Sequence, residues 1–181
     1  YTPTHTLSLH DALPIWLYIF GPEFRRRQYS RELLANMIYG PSFISLEYAL
    51  SYYGLIPERV ETITSVTQGR SRSFSTPVGN FSYRMIPPAA YTTGIDLIRM
   101  DGQASFLMAT PGKALADKIY QDKGVLFATR DHIKNYLFAD LRLDEEALQT
   151  VLLENFEEAA IRYRSRKLMS ILEFLRRSGK K

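Results

Sequence analysis

Three aspartates, Asp96, Asp101 and Asp117, are the side chains of this chain most open to a catalytic reading. Carboxylates that converge on magnesium activate water for attack on a phosphodiester, which would make a nuclease-like, DNA-processing enzyme. Asp117 lacks the company that such chemistry needs. No second carboxylate, histidine or glycine-rich phosphate loop lies near it, and Lys113 stands four residues before it, a spacing that predicts an ion pair on a helix surface. The chain has no cysteine and only three histidines, two of them inside the first ten residues. That excludes disulfides, thiolate nucleophiles and thiolate zinc sites, and it argues against a multi-histidine centre. The expectation is no catalytic residue, no metal and no cofactor.

Cations and aromatics offer binding instead of catalysis. Arg25, Arg26 and Arg27 are adjacent, and a guanidinium carries fixed donors that match phosphate oxygens; a solvated patch is the alternative. Arg70 and Arg72 share one face of a strand by the period of two, and with Arg84 they could converge on an acidic surface. Exposed strand arginines also serve simply to keep an edge from aggregating. These six are the candidate nucleic-acid contacts. Tyr48, Tyr52, Lys113, Arg162 and Arg166 are the candidate partner contacts. Tyrosine supplies contact area at low entropic cost, or is a half-buried core residue with its hydroxyl at the surface. Arg162 and Arg166 fall on one helix face at i, i+4. The formal charge of +4 over 181 residues permits an acidic partner without requiring one.

The elements that must position these residues follow from pattern. Ser30 predicts a helix cap, with Leu33, Leu34, Met37 and Ile38 on the apolar face and Gly40-Pro41 as the stop. Ser45 predicts the next cap, with Leu46, Ala49, Leu50 and Tyr53 inward and Gly54 at the C′ position. From Val60 the β-branched alternation predicts strands, with turns at Gln68-Gly69 and Thr76–Asn80, and Pro87-Pro88 ends the pairing. This reads as an antiparallel meander with a basic edge. Asp101-Gly102 marks a hairpin between 95–100 and 105–109. Thr110-Pro111 opens a helix through Tyr120, with Ala114, Leu115 and Ile119 inward and Lys113, Asp117 and Lys118 on a polar side. The remainder is helical. Thr129, Asp144 and Asn155 are the expected openings, and Leu168, Ile171, Leu172 and Leu175 form an amphipathic stripe.

The first fifteen residues show no period, and Thr6 to Ile15 looks like the translation of a short-read sequencing adapter. They are set aside from the fold. No apolar run approaches the length of a membrane span, and the absence of cysteine suits a reducing cytoplasm.

Several phrases together resemble the central signature of the AbiEi antitoxins. They are Gly40-Pro41-Ser42-Phe43-Ile44-Ser45-Leu46-Glu47-Tyr48-Ala49-Leu50, Tyr53-Gly54-Leu55-Ile56-Pro57-Glu58, Thr64-Ser65-Val66-Thr67, Phe74-Ser75-Thr76-Pro77-Val78-Gly79 and Phe81-Ser82-Tyr83-Arg84, in the same order and spacing. Ala109-Thr110-Pro111, followed by Lys113-Ala114-Leu115 and Asp117, is similar to a later helix-opening motif. The likeness covers residues 16–120 well and the tail loosely. It implies an antitoxin and transcriptional autoregulator of an abortive-infection toxin–antitoxin system, acting on operator DNA and on a nucleotidyltransferase-like toxin, without a stable complex being required. The implied fold is α+β, an antiparallel or mixed sheet packed by helices, with a helical C-terminal tail and the remnant of an N-terminal winged helix. The implied division is a leader over 1–15, a wing-strand remnant over 16–27 and the antitoxin C-terminal domain over 28–181. The DNA-reading helices are expected upstream of Trp16. Two positions depart from the family pattern: Gly112, where glutamate is usual, and Met85, where histidine is common. A generic protein-interaction module is the third reading.

Overall fold

The computed structural model describes residues 29–100, 105–125, 129–144 and 153–178, with 17, 19, 23, 127 and 148 besides. Arg25, Arg26 and Arg27 of the expected wing remnant, Asp101 and Gly102 of the expected hairpin turn, and residues 145–147 lie outside the described residues. The architecture is α+β. A six-stranded mixed sheet is packed by seven α-helices among the described residues, the last of them forming the C-terminal part.

Helix α1 (Arg31–Ile38) is capped by Ser30, whose side chain accepts from the Leu33 N–H and so satisfies one of the free donors of the first turn. It buries Leu34, Ala35 and Ile38, while Met37, expected inside, is exposed. The next strand, β1 (Ser42–Ile44), is wholly buried and has no counterpart among the expected elements. Helix α2 (Leu46–Tyr52) follows at once and is closed by Gly54 at φ 69, where the absent Cβ makes the left-handed turn cheap. Strands β2 (Ile63–Thr67), β3 (Arg72–Thr76) and β4 (Gly79–Met85) come next. After them run the short α3 (Pro88–Tyr91), then β5 (Ile95–Arg99) and β6 (Ser105–Ala109). Helix α4 (Pro111–Gln121) places proline at its first position.

The tail holds α5 (Arg130–Asn135), capped through the Thr129 side chain, and a π-helical turn over Tyr136–Asp140. Helices α6 (Leu153–Tyr163) and α7 (Arg166–Ser178) complete it. Asn155 therefore lies inside α6 and does not open it.

Strand order is β3-β4-β2-β1-β6-β5. The expected antiparallel meander holds for β3 with β4, but β2 pairs β4 in parallel and β1 pairs β6 in parallel. Register assigns the faces. Ser65 pairs Tyr83, and Phe43 pairs Val66, one residue on. Tyr83 and Phe43 therefore point to opposite sides of the sheet. On the first side Tyr83 donates its hydroxyl to the Ala35 carbonyl of α1 at 2.6 Å. On the second, the Lys113 ammonium of α4 lies 5.7 Å from the Phe43 ring centre. Helix α6 packs beyond α4, and α7 beyond both. A single buried apolar cluster runs from Leu34 through Leu175 and ties the C-terminal helices to the sheet.

Candidate functional site

Helix α4 carries two lysine–aspartate pairs at the same i, i+4 spacing, and their surroundings differ. Lys113 and Asp117 are both fully buried, which corrects the expectation of a polar helix face and of an ion pair at the surface. Their burial requires a complete set of partners, since an isolated buried charge is costly. Asp117 Oδ1 takes the Lys113 ammonium and the Tyr163 hydroxyl at 2.5 Å, and Oδ2 takes the Ser45 hydroxyl at 2.7 Å. Lys113 Nζ lies 3.5 Å from Tyr163 Oη and 4.9 Å from the centre of its ring. Ser45 stands at the N-cap position of α2, yet its hydroxyl serves Asp117 and makes no cap bond. Gly94 holds φ 64, and a Cβ there would sit 2.6 Å from the Lys113 Cβ. The lysine stem is thus pressed against backbone.

Burial shifts these groups in readable directions. Loss of water lowers the Lys113 ammonium below its ordinary range, against the pull of Asp117. Burial raises the Tyr163 hydroxyl, and the Asp117 charge and hydrogen bond raise it further. The cluster joins β1's exit, α4 and α6, with no face left for a substrate or a partner. Lys113 is therefore a structural cation and not a surface contact.

The second pair opens onto a cleft of about 880 Å³ between α2, the end of α4, the β2–β4 face and Asp140-Leu141. Lys118 bridges Glu47 and Asp122 at 2.8 Å each. Burial alone would lower its ammonium, but these two carboxylates outweigh it and leave the group raised. Asp122 also accepts from the Tyr136 hydroxyl at 2.6 Å, and its carbonyl accepts from Lys167 at 2.5 Å. Glu58 pairs with Arg142 and Arg59 with Glu61 at 2.9 Å. Arg84 lines the same cleft beside Ser71 and Ser82. It is exposed and has no ion pair among the described residues.

The other arginines are dispersed. Arg72 pairs Tyr83 and shares its face, leaning over the Tyr39 ring at 5.9 Å. Arg84 follows Tyr83 and faces the other side. The expected convergence of Arg70, Arg72 and Arg84 therefore does not occur: alternation separates 72 from 84, and Arg70 precedes the first residue of β3. Arg162 and Arg166 do not share a helix face either. Arg162 is the last but one residue of α6 and Arg166 the first of α7, with Arg164 at φ 51 in the break.

Of the tyrosines, Tyr48 is fixed by donating to Glu32 at 2.6 Å. Half-burial alone would raise the Glu32 carboxyl, but hydrogen bonds from Tyr48 and Ser30 bring it below its ordinary value. Tyr53 donates to the Ala109 carbonyl at 3.1 Å, and burial pushes its hydroxyl up to about 12. Tyr52 is half exposed and edge-on to Tyr53 and Phe106, so it remains available to a partner.

No protein-family model matches this chain, and no curated protein matches it. Among the described residues no group of three or more histidines, aspartates or glutamates stands together as a metal would need. The aspartates of the catalytic reading are dispersed. Asp117 is sealed, Asp96 bonds the Leu97 N–H at 2.7 Å on an outer strand, and Asp101 is outside the described residues. No helix among the described residues is long and apolar enough to cross a membrane.

Proposed function

We propose that this chain is an antitoxin and transcriptional autoregulator of an abortive-infection toxin–antitoxin system, a cytoplasmic, non-enzymatic protein that neutralises a nucleotidyltransferase-like toxin. Operator DNA is the proposed partner of the intact gene product. Residues 28–181 are the proposed antitoxin domain, and no cofactor or metal enters its action. The observation that carries the reading is how the residues of the AbiEi-like phrases are spent. Ser45, Thr64, Thr67, Tyr83, Lys113 and Asp117 turn inward and satisfy one another or the backbone. The polar groups a catalytic reading would use are thus consumed in holding α1, α2 and α4 to the sheet. What the same phrases leave outside, Arg84 above the cleft, is suited to contact and not to chemistry, as is the half-exposed Tyr52 that lies between two of them.

The test is co-expression of the chain with the nucleotidyltransferase-like toxin encoded beside it. Restored growth is the expected result; continued arrest with folded, abundant chain in the cell would refute the antitoxin reading. A metal-dependent nuclease has no comparable observation in its favour, because its best-placed carboxylate is already occupied on both oxygens.

A further inference from the structure

The outer side of β5 is a free sheet edge among the described residues, and the direction of its hydrogen-bonding groups can be read from its neighbour. Leu97 pairs Leu107 across β5 and β6. The Leu107 N–H donates to the Asn36 side-chain carbonyl at 2.6 Å, and its own carbonyl accepts from the Asn36 amide at 3.3 Å. Both backbone groups of Leu107 therefore point away from β5, which makes Leu97–Leu107 a pair without mutual hydrogen bonds. The N–H and C=O of Leu97 must then point outward, as must those of Ile95 and Arg99 by alternation. The N–H of Leu97 is held there by the carboxylate of its own neighbour, Asp96, at 2.7 Å. The side chains beside this edge are apolar and uncovered: Leu97 is 50% exposed, Leu107 40% and Ile95 36%.

We infer that β5 is a pairing edge for a second copy of this chain, joined antiparallel across a two-fold axis with Leu97 opposite its mate. Three observations select this occupant and this register. A two-fold axis through a sheet edge must place residues of one face opposite the same face and outward-pointing groups opposite outward-pointing groups. Of the registers that do so, the one centred on Leu97 pairs the whole of Ile95–Arg99. Shifting it by two residues leaves two residues of each β5 without a mate, and it sets either Leu97 against Arg99 or Asp96 against Asp96 of the mate, the latter a like-charge opposition. The Leu97 register instead places Arg99 against Ile95. It also extends the Leu107–Leu97 row through the mate's Leu97 to the mate's Leu107, an unbroken apolar stripe across four strands. Finally, the opposite edge, β3, is polar where it is exposed, at Ser73 and Ser75. A β5-to-β3 contact would match apolar to polar and would propagate as an open fibre, whereas β5 to β5 closes as a dimer.

In this arrangement Asp96 is a guard. Its carboxylate occupies the N–H that the mate's Leu97 carbonyl would take, so each dimer must first release two such contacts. The inference does not depend on the antitoxin reading. It is tested by sedimentation equilibrium of the full chain from 5 to 500 µM, about the range in which an interface below standard size associates. The expected result is a reversible monomer–dimer equilibrium that Asp96→Ala tightens at least about fivefold by freeing the Leu97 N–H, on the order of 1 kcal/mol. Leu97→Lys abolishes it while its far-ultraviolet circular dichroism and melting remain those of a folded chain, and Ser73→Lys on the other edge leaves it unchanged. A chain that stays monomeric at 500 µM with and without Asp96→Ala overturns the inference. So does a dimer that survives Leu97→Lys, or one that Ser73→Lys disrupts.

Discussion

Lys113–Asp117 and Lys118–Asp122 lie five residues apart on α4 and its C-cap, share the same spacing and the same residue types, and occupy different environments. The first pair is sealed by Ser45 and Tyr163. The second keeps Lys118 about one-sixth exposed at the lip of a cleft and gives it two carboxylates. The i, i+4 rule treats them alike; depth does not. A sealed pair is expensive to break because its survivor stays charged and dry, whereas a pair at the lip of a cleft costs less because water reaches part of the lost partner's place. Structure and proposed contact are thereby divided along one helix: its start fixes α2, α4 and α6 together, and its end faces the cleft proposed as the contact surface.

The largest effect is therefore expected at Asp117. Asp117→Ala leaves Lys113 uncompensated and orphans the Ser45 and Tyr163 hydroxyls, a loss of about 3–5 kcal/mol that urea unfolding would register. A destabilisation as small as that of an exposed pair would erase the distinction between the two sites.

Alkaline unfolding sharpens the same contrast. The Tyr163 and Tyr83 hydroxyls are raised by burial, so above about pH 10 the unfolded chain loses these protons while the folded chain keeps them. Unfolded tyrosine then binds fewer protons than folded, and stability falls with rising pH by up to about 1.4 kcal/mol per unit for each such group. Tyr163→Phe should flatten that limb of the stability–pH curve and cost about 1–3 kcal/mol at neutral pH through the hydrogen bond lost to the Asp117 carboxylate, whose Oδ1 then keeps only the Lys113 ammonium. An unchanged alkaline slope would mean that Tyr163 is not sealed. On the acid side, the lowered Glu32 carboxyl contributes stability that is present above about pH 4.5 and lost as pH falls through its folded value.

The smallest effect is expected at Lys118. Lys118→Ala should cost about 1–2 kcal/mol, less than the sealed pair because the site is partly open to water, decreasing as salt screens the pair. A loss equal to that of Asp117→Ala would show that the cleft is structural too.

Much of this frame was legible before any coordinates. Ser30, Thr110-Pro111 and Thr129 stand where helices begin, Gly54 takes the left-handed conformation assigned to it, and Leu168, Ile171, Leu172 and Leu175 are the buried stripe of α7. What was missed has physical reasons. Strand β1 is three residues long and buried on both faces, so it shows no alternation to count. Lys113 and Asp117 read as polar because single-helix patterning cannot see Tyr163, 46 residues beyond Asp117, arriving to complete the set. Alternation within each strand says nothing of how the arginines of β3 and β4 face one another, because the cross-strand register that puts Arg72 beside Tyr83 is set by the turn between them. The i, i+4 spacing of Arg162 and Arg166 predicts one shared face, but the helix breaks between them at Arg164, a position marked by no proline or glycine. A signal was present for one correction: a lysine and an aspartate at i, i+4, Lys113-Ala114-Leu115-Ala116-Asp117, have only alanine and leucine between them.

The most direct test of the division between fold and contact is the growth rescue given by Arg84→Glu, read beside its melting temperature. The account predicts a melting temperature within about 2 °C of the unaltered chain, as for a surface substitution, together with a clear loss of rescue from the toxin. Rescue equal to that of the unaltered chain, at equal abundance, would contradict the assignment of the cleft as the contact surface.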